Sequence, residues 1–321
     1  MLDFFEQEAS TEERASLAKH FEVAEIHGQR EAKHIVSSSL FWKPAYNEEI
    51  DLPELTREVF MNPSKHGIQT RSNQPWEQYA QPLIVGARNL QEKRPDVVFR
   101  VYLANDLQFL LPDLLEVGCE VCVMKSSSIR HNPGAMWRFL AMEHEGLVTI
   151  TDADRANNAL YDIERTELVE EGGLSHWRSG YIFNCSPETA NNPGHYRPVL
   201  ACHFGSANAY PIRFLCEALI WHSQRGSIST VAKLGESHLV PIQGTAWPTY
   251  GFDEWFLLAA VFPRMAFNGM LTFVSWNDTQ LNQWFGLDIE YCTWANPKSE
   301  IMYHGDPIVD KAPKLLTPAA E

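Results

Sequence analysis

Hydrophobic and polar positions along this chain follow two alternating periods. Ser10-Thr11-Glu12-Glu13 has the form of a capping box and opens a helix toward His20, with Leu17 and Phe21 at helical spacing. Short apolar runs rich in β-branched residues predict strands at His34–Phe41, Asp96–Leu103, Cys119–Met124 and Leu147–Asp152. Between them a 3.6-residue period predicts helices at Trp76–Glu92, at Leu107–Glu116 with Gly118 as its left-handed cap, and at Gly134–Glu145 with Gly146 as its stop. Strand and helix alternating at this spacing predict an α/β class, a mostly parallel sheet with right-handed crossovers and helices on its faces.

Past Asp154 the pattern changes. Asn157–Gly173 is polar and acidic, and Asn184–Arg197 is rich in Asn, Pro and Gly; both read as loops around a second binding area. Short strands are expected at Ser179–Phe183 and at Val199–Phe204, the latter before a Gly205-Ser206 turn. Helices are expected at Pro211–Trp221 and from Tyr250 to Val261. Ser275–Glu321 is polar and weakly periodic and reads as a wrapping tail.

Composition narrows the function. With 321 residues, 45% of them apolar, the chain can bury a full core. A formal charge of −15 repels a phosphate backbone, and no local cluster of Lys and Arg offsets it, so a nucleic-acid partner is not expected. The first ten residues lack a basic segment followed by an apolar core, and no apolar run reaches about eighteen residues. The expectation is no export signal, no membrane span and a cytoplasmic location. Cys119 and Cys122 have C-x-x-C spacing but fall on a strand, where residues three apart face opposite sides, so they read as two separately packed thiols.

The candidate chemistry lies at Leu147–Arg155, where an apolar strand ends in Asp152 and Asp154. Ligands of open α/β sheets bind at the carboxyl ends of the strands, and Mg²⁺ or Mn²⁺ is usually held there by one or two carboxylates plus substrate phosphates. The stretch therefore points to a nucleoside-diphosphate substrate. Arg130 and Arg138 precede this strand, and a guanidinium there suits carboxylate or diphosphate oxygens. Ser38 and Ser39 end the first strand and either meet a base and ribose or form a plain turn. Asp253 and Glu254 open a helix and either cap it or face a sugar. His304 either folds back as a third metal ligand or is solvated, and Trp177, Trp247 and Trp276 are candidates for stacking on a sugar.

Five patches carry a family resemblance: Ser37-Ser38-Ser39, Gly134–Phe139, Thr151-Asp152-Ala153-Asp154, Leu200–Gly205 and Tyr250–Leu257. Taken in order they resemble nucleotide-sugar glycosyltransferases of the GT-A fold with a DxD motif, over roughly His34 to Val274. The look-alikes are bacterial and phage glycosyltransferase-like proteins. The resemblance implies a Rossmann-like domain at 34–274, with a nucleotide-binding half at 34–155 and an acceptor half at 156–274, after a helical extension at 1–33 and before a tail at 275–321. It implies donor contacts from Ser38, Ser39, Arg130, Trp137, Arg138, Asp152 and Ala153, and Mn²⁺ or Mg²⁺ held by Asp152, Asp154 and His304. Of the pair, the second aspartate would hold the metal and the first would touch the ribose or a water ligand. Asp253 is assigned a sugar contact or the role of base, with Glu254 as the alternative base.

The implied reaction moves a sugar from a nucleotide-sugar donor, UDP-linked in the first instance, to a hydroxyl on a glycan, protein or small molecule. Two departures bear on it: the look-alikes' Gly-rich turn keeps a single glycine here, Gly205, and Glu254 stands where many of them have Gln. A nucleotidyltransferase would want a Gly-rich basic loop after the first strand, and Ser37–Lys43 has no glycine. A haloacid-dehalogenase-like phosphatase would carry the aspartate pair after its first strand rather than its fourth. A catalytically silent sugar-nucleotide-binding protein is the non-enzymatic alternative.

Overall fold

A computed structural model describes residues 7–42, 55–68, 74–125, 134–167, 201–202, 204–207, 209–224, 253, 256–257 and 261, with the backbone of strands at 174–178, 228–230, 271–275, 301–303 and 306–307. The elements that position the site are helix α1 (Thr11–Ala18), strands β1 (Val23–His27) and β2 (His34–Leu40), helices α2 (Arg57–Met61) and α3 (Gln81–Lys93), strand β3 (Val97–Leu103) and helix α4 (Leu111–Glu116). They continue with β4 (Glu120–Met124), α5 (Gly134–Trp137), β5 (Leu147–Ile150), α6 (Ala159–Thr166), β6 (Leu174–Arg178), β7 (Phe204–Ser206) and α7 (Ile212–Gln224). Strands β8 (Ile228–Thr230), β9 (Leu271–Ser275), β10 (Ile301–Tyr303) and β11 (Asp306–Pro307) follow.

Among the described residues the main sheet has eight strands in the order β1-β4-β3-β2-β5-β7-β6-β9. Its centre, β4-β3-β2-β5, is parallel, and β1 and β7 join antiparallel. The mostly parallel sheet flanked by helices is the α/β class the alternation predicts. Every residue of β2 is buried, as a central strand covered on both faces requires. β11-β10-β8 forms a separate small sheet, so parts of the predicted tail are strands. No helix among the described residues is long and apolar enough to cross a membrane.

Local chemistry sets the element ends. Ser10 accepts from the Glu13 N–H, and Glu13 returns a bond to the Ser10 N–H, so the capping box closes as predicted. Gly118 ends α4 at φ +78°, a left-handed position. Pro82 offers no N–H, and its ring would clash with the carbonyl four residues back. The preceding Trp76–Ala80 turn widens into a π turn, in which Gln81 N–H reaches the Trp76 carbonyl.

Four expectations are corrected. Residues 1–33 are not only helical, because Val23–His27 adds an antiparallel edge strand. Asn157–Gly173 is not all loop, because it contains α6. The strand expected at Val199–Phe204 with a turn at Gly205-Ser206 is instead a turn at 201–202 followed by β7. Gly134–Glu145 is an α turn, α5, that tightens into a 3₁₀ segment at Arg138–Glu143. The strand predicted at Ser179–Phe183 lies outside the described residues.

Candidate active site

The site assembles at the carboxyl edge of the parallel strands. β5 leaves its ladder just past Ile150: the Thr151 N–H still bonds the Ser37 carbonyl at 2.9 Å, and Asp152 follows in extended conformation. A 3₁₀ segment, Ala153–Asn158, then turns the chain away, with the Arg155 N–H bonded to the Asp152 carbonyl. The Asp152 side chain is about one-third exposed, and Asp154, two residues on, is exposed. Helix α3 presses against this segment at Gly86, where a Cβ would stand 2.4 Å from the Ala156 carbonyl oxygen. Only glycine permits that approach, so the backing of the aspartate segment is close and rigid.

Arg138 enters from the junction of α5 and the 3₁₀ segment. Its side chain is 6% exposed, and its two terminal nitrogens hold Asp152 Oδ1 and Asp253 Oδ2, each at 2.5 Å. A buried guanidinium requires such pairing, because an isolated charge in low dielectric is strongly disfavoured. The Arg138 Cζ also lies 5.2 Å from the centroid of the Phe139 ring. Phe139 stacks at a tilt on Phe256, centroids 5.3 Å apart, and Phe256 stands one helical turn beyond Asp253. That apolar contact carries the second carboxylate to the arginine.

Behind the arginine the segment is tied down at several points. The Trp137 indole N–H donates to the His20 carbonyl at 2.7 Å, and the Arg213 N–H at the start of α7 donates to Glu143 at 3.1 Å. The Tyr210 N–H donates to the Met142 carbonyl at 2.6 Å. The predicted N-terminal extension therefore packs on the back of the site.

Asp152, Arg138, Asp253 and Ser39 are brought together, with Asp154 and Ala153 on the adjoining turn. The expectation that Trp137 meets a donor is corrected: its ring is wholly buried and its N–H is used within the fold. Ser39 directs its hydroxyl into the protein, accepting the Arg138 N–H at 2.7 Å, and Ser38 is fully buried on the other face of β2. Any donor contact at the end of β2 would thus come from backbone rather than from these hydroxyls. Ala153 is buried beneath the turn. Arg130, Glu254, His304, Trp247 and Trp276 lie outside the described residues, as does the side chain of Trp177.

Two residues went unnoticed in the sequence. Ser37 donates to the Arg138 carbonyl at 2.7 Å, and a serine run inside an otherwise apolar strand was the available signal. Asp106 follows β3 as Asp152 follows β5. Both of its carboxylate oxygens are buried without a hydrogen-bond partner, and burial pushes the group up to about 7.

Among the described residues no three His, Cys, Asp or Glu side chains converge as a metal cage. The donor set at the strand tip is carboxylate only. It fits a hard divalent ion that completes its shell with ligand phosphates and water, and does not suit a metal that prefers nitrogen or sulfur.

Fold and site together define an α/β protein with an acidic sheet edge organised around one arginine. No protein-family model matches the chain, and no curated protein is significantly similar to it. Among solved structures it is similar to glucosyl-3-phosphoglycerate synthase from Mycobacterium tuberculosis in complex with uridine diphosphate, at 14% identity, 76% coverage of this chain, 69% of that chain and a TM-score of 0.35. The same enzyme in complex with Mn²⁺, uridine diphosphate and glucosyl-3-phosphoglycerate matches at 13% identity, with the same coverages and TM-score.

Proposed function

We propose that this chain is a cytoplasmic, metal-dependent glycosyltransferase of the GT-A type that moves a sugar from a nucleoside diphosphate, UDP in the first instance, to an acceptor hydroxyl. The observation that carries the reading is the meeting of Asp152, Arg138 and Asp253 at the carboxyl edge of a parallel sheet, with Asp154 exposed beside them. In this reading residues 34–155 form the nucleotide half and 156–274 the acceptor half.

Asp154, with Asp152 assisting, would hold Mn²⁺ or Mg²⁺, and His304 is the candidate third ligand. When bound, the ion neutralises charge on the departing diphosphate as a Lewis acid. Asp152 Oδ1 accepts from Arg138, which suits Asp152 to the ribose or a metal-bound water, and Asp154 is the more exposed of the two carboxylates. Asp253 Oδ2 accepts from the same arginine, and its role is to hold hydroxyls of the donor sugar close to the anomeric carbon. Proton removal from the acceptor then falls to Glu254 if the reaction inverts configuration.

The test is nucleotide release from a panel of UDP- and GDP-sugars with Mn²⁺, with and without chelator. Release should require the metal and fall at least about 100-fold in Asp154→Ala. Release that ignores the chelator and survives that substitution would overturn the proposal.

A further inference from the structure

Ordinary helical backbone supplies its own hydrogen bonds, but Arg138 sits where α5 gives way to a 3₁₀ segment and the ladder changes its step. Both of its backbone polar groups also bond side chains. Ser39 Oγ accepts the N–H and Ser37 Oγ donates to the carbonyl, each at 2.7 Å. Ser37 and Ser39 lie two apart on β2, so the pleat points both hydroxyls to one face. Both are buried, and burying a hydroxyl in a central strand is unfavourable unless it is hydrogen-bonded. The two serines thus grip one residue of a segment about a hundred positions away.

What they grip is the residue whose planar fork spans two carboxylates from separate parts of the chain. The arginine's reach is fixed at both ends: backbone clamped to β2, guanidinium divided between the tip of β5 and the helix of Asp253. An ammonium is a single point on a flexible stem and cannot hold two carboxylates at a set separation in this way. We infer that Arg138 is a positioning residue that fixes the spacing of Asp152 and Asp253, and that Ser37 and Ser39 are the clamp that holds it in place. The inference rests on the proposed donor site for its consequence in turnover, but not for its geometry.

Two readouts on the full chain separate these. Amide exchange followed by mass spectrometry on wild type, Arg138→Lys and Ser39→Ala tests the geometry. In both variants, exchange across 147–158 should accelerate by about tenfold although neither substitution lies there, because the strand tip loses its anchor. Acceleration confined to 134–143 overturns the inference. Should Arg138→Lys not fold, Ser39→Ala decides alone, since it removes one oxygen from a buried site. With any donor that wild type turns over, Ser39→Ala should lower kcat about 10- to 100-fold with donor KM nearly unchanged. A raised KM at unchanged kcat overturns it in favour of direct donor binding by Arg138. A wild-type chain that releases nucleotide from no donor sinks the proposed function, while the exchange result still decides the positioning.

Discussion

Replacing Asp106 by Asn should stabilise this protein at pH 8 and leave it nearly unchanged at pH 4.5. The Asp106 carboxylate oxygens are sealed from water and bonded to no other residue, so ionisation puts a charge without a counter-ion just past the tip of β3. In the unfolded chain the group titrates near its ordinary 3.8; in the fold it titrates near 7. Between these values the native state keeps a proton that the unfolded state has lost, so stability falls as pH rises through the window and the penalty is complete above pH 7. The full difference corresponds to about 4 kcal/mol. Asp106 as a residue is only partly buried, and water drawn in by the charge reduces this to about 2 kcal/mol. Asn keeps the shape and cannot ionise, and its own buried amide contributes a term that does not change with pH. Urea unfolding of both proteins at pH 4.5, 6 and 8 reads the difference directly. It should grow with pH in favour of the variant and level off above 7, with the urea slope unchanged. Equal differences at pH 4.5 and pH 8 would refute the reasoning.

Further substitutions probe other joints of the fold. His34, held neutral by burial and titrating near 4, excludes a proton that the unfolded chain takes up below 6.5. Wild type should therefore lose up to about 3 kcal/mol as pH falls from 6.5 to 4, and His34→Gln should lack that part of the acid slope in the same urea assay. Gly86→Ala drives a methyl into the Ala156 carbonyl and should destabilise by about 2 kcal/mol or more, read as a lower midpoint in urea. Glu120→Gln strips the buried partner from Arg100 and should destabilise by about 3 kcal/mol by the same measurement. Ser10→Ala opens the capping box of α1 and should lower stability by about 1 kcal/mol.

Elements whose stability is local were legible in the sequence. The Ser10 box, the Gly118 stop and the apolar runs of β2, β3, β4 and β5 carry their instructions within a few residues, and each formed within a residue or two of its expected place. Helix α6 was misread because its buried face is Ala159, Asp162, Ile163 and Thr166, half of it polar. The period is there, but not in apolar residues. Gly205 misled in a different way. It reads as a turn residue, yet in β7 a Cβ would stand 2.6 Å from Thr166 Oγ1 and 2.9 Å from the Val148 carbonyl oxygen, so close approach of α6 and β5 demands glycine in a strand. β1 lacked a signal because an edge strand exposed over most of its length shows no alternation.

The charged members of the site were legible as residue types and not as neighbours, and the reason is sequence separation. Asp152, Arg138 and Asp253 could each be named from strand tip, helix and helix start, but the Arg138–Asp253 pair spans 115 positions. A subtler sign was present in β2. Once the period assigns β2 to a buried central strand, its polar side chains call for hydrogen-bond partners within the fold; the Ser38 hydroxyl has none among the described residues, but His34, Ser37 and Ser39 do. They find them at Thr149, 115 positions on, and at Arg138, 101 and 99 positions on. Apolar periodicity says which face is buried. A polar residue on that face says that a distant part of the chain must come to meet it, and here the residue that comes is the arginine at the centre of the site.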